Sequence, residues 1–472
     1  MQPRIFEVKL EKYTYGGDAI GRLKDGRAVF VPFGIPGELV RVRLVLEKKN
    51  FARAELLEVL EPSPERITAR CKHFGECGGC HYQHMPYEAQ LVAKTEILRD
   101  QLQRIGKVEN PPVRPMVACP DPWYYRNHIQ FHLSEDGNLG FFRAETRPGP
   151  AILEVTECHL PEPLINATWP QLEFEPGTQI ERVSLRTGAD DDLMLILESE
   201  DIEAPEMELE SGISVVHLTE EDALVMAGED HITMQVLGRE FRVSAGSFFQ
   251  VNTVMAEKMV EYILERLSLP AETILDVYSG VGLFSAFLAP RCERLIGIEA
   301  SPSACEDFAA NLDEFDHVEL YEGAAEDVIP HLEMEQPIVL VDPPRAGVDR
   351  RALDGIQQLA PQTIAYVSCD PSTLARDAAR LIAGGYRLVE VTPFDMFPQT
   401  YHIESISIFT LKNISGFSKI GAWGVVGGQR PPTTPHISPF RLKDTHKYLL
   451  NKSSARNGRE RSVADWPDFR FR

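Results

Sequence analysis

Residues 273–284 read TILDVYSGVGLF. An apolar run interrupted by one Asp and closed by Ser-Gly-Val-Gly describes a buried strand that enters a tight turn and then a helix. The theme recurs downstream in RLIGIEA (294–300), VELYEGA (318–324), IVLVDPP (338–344) and TIAYVSC (363–369). Helical stretches such as LFSAFLAP (283–290) and SACEDFAANL (303–312) lie between them. Strands alternating with helices predict a doubly wound, mainly parallel α/β sheet of the Rossmann-like kind.

Upstream the pattern differs. In residues 1–61, VRVRLVLE places Val40, Val42, Leu44 and Leu46 on one side of a strand, and turn signals recur about every ten residues. A small closed β-barrel is expected there. Residues 62–250 combine clustered cysteines, one helical stretch at 86–106 and several strand-like runs. Residues 251–412 hold the α/β pattern. Residues 413–472 lack periodicity and read as a disordered tail.

Composition sets limits. The chain has 472 residues and a net charge of -23, which argues against a protein that coats nucleic acid non-specifically. The tail carries 11 Lys and Arg against 4 Asp and Glu, a net of +7 that leaves the body at -30. Any nucleic-acid site on that body must be confined. No apolar run is long enough to span a membrane, and charges interrupt the first apolar stretch, so a cytoplasmic protein is expected.

Each strand end carries chemistry. Gly280 and Gly282 let the backbone turn sharply and approach a ligand. Glu299, 19 residues after Gly280, is placed to bind both hydroxyls of a ribose. A dinucleotide loop would need a third glycine where Ser285 stands, and Asp276 suits a cationic ligand better than a pyrophosphate. S-adenosylmethionine fits that description.

Asp342-Pro-Pro-Arg345 is a loop stiffened by its two prolines. Cys369 follows the apolar strand and is a candidate nucleophile, provided a positive environment lowers its pKa. Taken singly, a lone Cys there is more often a small buried hydrophobe. Glu404, in FPQTYHIE, is a candidate base. Together they suit a carbon too weakly nucleophilic to take a methyl group unaided, such as C5 of uracil. Thiolate addition at C6 activates C5, and a base then removes the C5 proton.

The spacing Cys71-x5-Cys77-Gly-Gly-Cys80 is compact enough to ligate a metal centre. His73, His81 and His84 allow a Cys/His zinc site; Cys158 and Cys119 are further thiol candidates.

With SFFQVN (247–252), LDVYSGVGLF (275–284), IGIEAS (296–301), VDPPRAG (341–347), YVSCDPSTLARD (366–377) and FDMFPQTYHIESI (394–406), the chain resembles the bacterial RNA 5-methyluridine methyltransferases. YGGDAIGRL (15–23) and VFVPFGIPGELV (29–40) resemble that family's TRAM domain, an OB-like RNA-binding barrel. The resemblance covers about residues 6–412. It implies that Gln250, Tyr278, Glu299 and Asp342 contact S-adenosylmethionine, that Cys369 is the nucleophile and that Glu404 is the proton acceptor. It further implies a 4Fe–4S cluster on Cys71, Cys77, Cys80 and Cys158, and a monomer acting on RNA. Ribosomal 23S RNA is the expected substrate, because the simplest transfer-RNA enzymes of the family lack both barrel and cluster. The alternatives are the T-loop uridine of transfer RNA, or a non-catalytic RNA-binding protein. Ser279 and Leu283 depart from many members. The resemblance also allows the helix of 86–106 to pack on the methyltransferase domain.

Overall fold

The computed structural model describes residues 4–412, apart from 146, 148, 202, 209–211 and 221. Beyond 412 it describes only Phe440–Arg441 and Phe469–Phe471, so the expectation of a disordered tail at 413–472 otherwise falls outside the described residues.

The first five strands, β1 (Ile5–Tyr13), β2 (Ala19–Arg22), β3 (Ala28–Val31), β4 (Leu39–Glu47) and β5 (Phe51–Glu61), close into a barrel in the order β1-β2-β3-β5-β4. Val8, Leu10, Val29, Val31, Val40, Val42, Ala52 and Ala54 fill it. The expected inward face of β4 holds for Val40 and Val42 but not for Leu46, which is exposed. The β4–β5 register shifts three times, and each bulge rotates the following side chains.

Helix α1 (Tyr87–Arg104) follows the cysteine-rich segment. A seven-stranded, mostly antiparallel sheet then spans His128 to Ala227, and a hairpin, His231–Val236 with Arg239–Ser244, follows it.

The α/β region opens with α2 (Thr253–Arg266), capped by Asn252, whose side chain accepts from Met255 N at 3.3 Å. It continues β6 (Ala271–Val277), α3 (Leu283–Leu288), β7 (Cys292–Glu299), α4 (Pro302–Asn311), β8 (Val318–Glu322), β9 (Ile338–Val341), α5 (Arg350–Gln358), β10 (Thr363–Ser368), α6 (Pro371–Ala383), β11 (Tyr386–Phe394) and β12 (Glu404–Leu411). The sheet order is β11-β12-β10-β9-β6-β7-β8, with Phe440–Arg441 added on β8. Strands β6 to β10 are parallel, and β11 and β12 are antiparallel to their neighbours. The chain crosses over between β6 and β9, so their carboxyl ends open a crevice, the place where such sheets bind ligands. Their residues are buried on both faces, which is why they read as unbroken apolar runs. α1 packs here too: Ile97, Leu98 and Leu102 share a core with Leu374, Ala375 and Ala378 of α6. Among the described residues, no helix is long and apolar enough to cross a membrane.

Candidate active site

The turn after β6 is built on left-handed backbone: Tyr278 has φ 64°, Gly280 54° and Gly282 88°. A Cβ on Gly282 would stand 2.4 Å from Leu312 Cδ1 and 3.0 Å from the Phe308 ring, so the turn tolerates only glycine there. Tyr278 and Ser279 donate their amides to Ile298 O at 2.9 and 3.0 Å. Glu299 fastens the two strand ends together. Its Oε2 accepts from Gly280 N at 2.9 Å, and its Oε1 accepts from Ala300 N and Ser301 N, both at 2.8 Å.

Asp276 and Asp342 share this crevice with Glu299. Burial lifts Asp276 to a pKa of about 7, with Asp342 and Glu299 adding to the rise. Burial likewise brings Asp342 to about 7. Asp276 Oδ2 accepts from Ser285 Oγ at 2.6 Å, while Asp276 Oδ1 and Ser279 Oγ are buried without a partner among the described residues. Crowded carboxylates beside unpartnered buried oxygens suit a ligand that brings positive charge and hydrogen-bond donors. S-adenosylmethionine, with its sulfonium, amine and ribose, meets both needs.

Gln250 is buried in the segment leading to α2, and its carbonyl accepts from Asn127 Nδ2 at 3.0 Å. The two phenylalanines before it part company. Phe249 is 5% exposed and packs near Phe241, whereas Phe248 is 68% exposed and free to meet a ligand.

Cys369 occupies the turn between β10 and α6. Asp370 caps that helix, accepting from Ser372 N at 2.7 Å and Thr373 N at 3.0 Å, which fixes the turn. Ser368 pairs with Ser405 in the antiparallel β10–β12 ladder, so the next position outward on each chain is Cys369 and Glu404. Glu404 is 3% exposed.

The expected positive environment of Cys369 is not what the fold provides. Burial and the nearby Glu404 and Asp342 carboxylates push the thiol up to about 12, with Arg345 as the opposing cation. Burial, together with Asp342, also raises Glu404 well above the usual carboxylate range, again opposed by Arg345. Burial thus disfavours the charged form of each group. Arg345 itself is exposed on the Asp342-Pro-Pro-Arg345 loop.

Several neighbours were not legible from the sequence. Tyr15, on the barrel's β1–β2 turn, meets the Tyr401 ring edge-on at 5.7 Å, and its hydroxyl is held protonated by burial and by Asp370. Gln90 and Lys94 reach the loop before Glu404 from α1. Their only sequence signal was a helix with polar residues at turn spacing, which fits any surface helix.

Cys71, Cys77, Cys80 and Cys158 line one cleft of about 860 Å³ between the barrel and the central sheet, with Tyr401 and His402 also on its wall. Burial raises all four thiols, Cys158 to about 11. Cys119 lies outside that cleft; its thiol donates to Asp121 O at 3.0 Å and accepts from Asn252 Nδ2 at 3.4 Å. Among the described residues, the one group of three or more Cys, His, Asp and Glu donors within 4.8 Å of one another is Glu229, Asp230 and His231. The cleft thiols are therefore not gathered at the roughly 4 Å spacing that a tetrahedral zinc with bonds near 2.3 Å would impose. His73 Nε2 already accepts from Thr156 N at 3.2 Å, which removes it as a ready zinc ligand.

Comparison with known proteins gives consistent relationships. The model of the tRNA (uracil-5-)-methyltransferase family matches residues 207–412, and that of the TRAM domain matches residues 1–57. An uncharacterized RNA methyltransferase of Halalkalibacterium halodurans is 33% identical over 453 residues, covering 87% of this chain and 97% of that protein. An uncharacterized RNA methyltransferase of Aquifex aeolicus is 34% identical over 440 residues, covering 88% and 100%. Among solved structures, the tRNA (uracil-54, C5)-methyltransferase of Pyrococcus abyssi, bound to S-adenosyl-L-homocysteine, superposes with a TM-score of 0.67. It is 24% identical and covers 85% of this chain and 99% of that one, a likeness of fold.

Proposed function

The chain belongs to the RNA (uracil-5-)-methyltransferases, enzymes that use S-adenosylmethionine to methylate C5 of a uridine in RNA, and from that premise we propose how its own residues divide the work. Cys369 is the nucleophile and Glu404 the base. The observation that supports this is the ladder register, which sets the two side by side at one end of β10 and β12. The Cys369 thiol gives up its proton to solvent as the Sγ–C6 bond forms, and C5 becomes nucleophilic and takes the methyl group, whose bond to the sulfonium sulfur breaks to leave a neutral thioether. Glu404 then removes the C5 proton, and the Sγ–C6 bond breaks to restore the C5–C6 double bond. S-adenosylmethionine, when bound, supplies the electrophilic methyl as a sulfonium. Gln250, Tyr278, Glu299 and Asp342 would hold it. Asp342 and Asp276 favour its positive charge, and Glu299 keeps the turn open for it.

The substrate we propose is 23S ribosomal RNA in the cytoplasm, met by the monomer with the barrel (1–61) and central region (62–250) beside the methyltransferase region (251–412). The barrel's Tyr15, edge-on to Tyr401 of the loop before Glu404, supports an RNA contact that passes from the barrel to the site. The Pyrococcus abyssi neighbour is named for tRNA, so transfer RNA is the second reading. Mapping 5-methyluridine in ribosomal and transfer RNA from a strain lacking the gene decides between them. Loss of a 23S site confirms the first; loss only in transfer RNA replaces it.

Cys71, Cys77, Cys80 and Cys158 would hold a 4Fe–4S cluster. Their common cleft and the Gly79 N–H donated to Cys77 Sγ at 3.3 Å support this reading. The cluster supplies no step of the methyl transfer in this reading.

A further inference from the structure

Eight residues, 395–402, join β11 to Ile403 and Glu404, and much of their backbone is held from outside the methyltransferase sheet. Lys94 Nζ donates to Phe397 O at 3.0 Å and to Asp395 Oδ1 at 2.6 Å. Tyr125 Oη donates to Pro398 O at 3.0 Å. Gln399 O accepts from His81 N at 2.8 Å and Tyr82 N at 3.1 Å. Three consecutive carbonyls thus face donors from the cysteine segment, α1 and the start of the central region.

Gln399 is the strained point. Its φ of 68° is left-handed, a conformation that costs a residue with a side chain on the order of 1 kcal/mol or more. Gln90 embraces it on both sides. Gln90 Nε2 donates to Gln399 Oε1 at 2.9 Å, and Gln90 Oε1 accepts from Gln399 N at 3.1 Å. The other hydrogen of Gln90 Nε2 is shared between Tyr82 O at 3.2 Å and Met85 O at 3.3 Å. Every polar atom of this buried amide is committed to holding the loop against α1.

Lys94 makes the case stronger. It and Asp395 are both 0% exposed. A fully buried ion pair rarely adds stability beyond what apolar residues of the same size would give, because both charges lose their hydration. What the pair and its extra bond to Phe397 O do provide is a single conformation of the loop.

We infer that Gln90 and Lys94 are positioning residues for the step that Glu404 performs. They fix the loop that ends at Glu404, and so set where its carboxylate meets the C5 proton. This rests on the reading of Glu404 as the base. Cys369 is fixed separately, by the Asp370 cap and β10, so the attack on C6 does not depend on them.

The test is a comparison of Gln90→Leu, Lys94→Met and Glu404→Gln with the wild-type enzyme. Each full-length protein is incubated with methyl-labelled S-adenosylmethionine and total RNA from a strain lacking the gene. Turnover and the labelled protein–RNA conjugate that survives denaturing electrophoresis are both measured. A displacement of about 1 Å can cost on the order of 100-fold in rate. Gln90→Leu should lose roughly 10- to 100-fold in turnover while its conjugate rises above the wild-type level, and RNA binding should stay within about threefold. Lys94→Met should do the same if it folds; because it strands a buried carboxylate, Gln90→Leu is the deciding variant. If Glu404→Gln stalls as a conjugate but Gln90→Leu keeps normal turnover, or loses turnover and conjugate in parallel, the inference is overturned and the base assignment stands. If Glu404→Gln itself builds up no conjugate, both fall.

Discussion

Cys369 and Glu404 are cross-strand neighbours, one step beyond the Ser368–Ser405 pair of the β10–β12 ladder. They come from strands separated by a helix and a further strand, and only the antiparallel return of β12 brings them together. Burial raises both pKa values, and the Glu404 carboxylate adds to the rise at Cys369.

Removing either partner should therefore fail in its own way. Cys369→Ala should form no covalent conjugate with RNA, whereas Glu404→Gln should form a methylated one that persists on a denaturing gel. Turnover should fall by at least about 100-fold in both, the usual scale for loss of a positioned base or nucleophile. Normal turnover by Glu404→Gln would hand the role of base to another group.

The same coupling predicts thiol reactivity. The Glu404 carboxylate pushes Cys369 up, and Arg345 pulls it down. Alkylation of Cys369 by iodoacetamide at pH 8 should be severalfold faster in Glu404→Gln and slower in Arg345→Ala. Only the thiolate reacts, so the wild-type rate should climb steadily with pH toward the thiol's value of about 12. A rate that levels off above about pH 9, as for an ordinary exposed thiol, would mean that burial has not raised the thiol.

Asp342 gives a stability test. Its folded pKa is raised from 3.8 to about 7. A raised acid holds its proton more tightly in the folded state. The fold is therefore favoured at low pH, and this contribution is lost as pH rises through 7. Asp342→Asn should remove the cost, stabilising the ligand-free protein at pH 8 by up to about 4 kcal/mol and much less at pH 4. Thermal midpoints at the two pH values measure it. The same variant should weaken S-adenosylmethionine binding. No change in stability at pH 8 would sink the assignment of a buried, costly carboxylate.

Protein prepared without oxygen should be brown, and Ser in place of Cys71, Cys77, Cys80 or Cys158 should bleach it, while Cys119→Ser should not. Cys119 is the built-in control, because its thiol is turned to Asp121 and Asn252. Colour retained after all four single substitutions would show that these thiols hold no cluster.

The α/β fold was legible because its parallel strands are buried on both faces and each ends in a residue with a task. Asp276, Glu299, Asp342 and Cys369 all close an apolar run. Positions could be read this way, but environments could not. The motifs did not state what surrounds Cys369: the carboxylates that push its thiol up come from the end of β9 and from β12, and their effect depends on burial that no motif states. Phe248 and Phe249 looked alike in sequence, and only the path of the irregular segment after the hairpin turns Phe249 inward and leaves Phe248 exposed. Gln90 and Lys94 were least legible, since their partners Gln399 and Asp395 lie 309 and 301 positions away and nothing local marks a polar helix residue as buried.

That separation has a consequence for how the protein is made. Helix α1 leaves the ribosome about 300 residues before the loop it clamps. At synthesis rates of about 5–20 residues per second, it waits roughly 15–60 s for its partner. During that interval Lys94 is solvated, the apolar face of α1 has no α6 to cover it, and the nascent chain carries a sticky, unfinished clamp. The catalytic loop can close only when translation is nearly complete, so a truncated chain would be left not with a weak enzyme but with an open one.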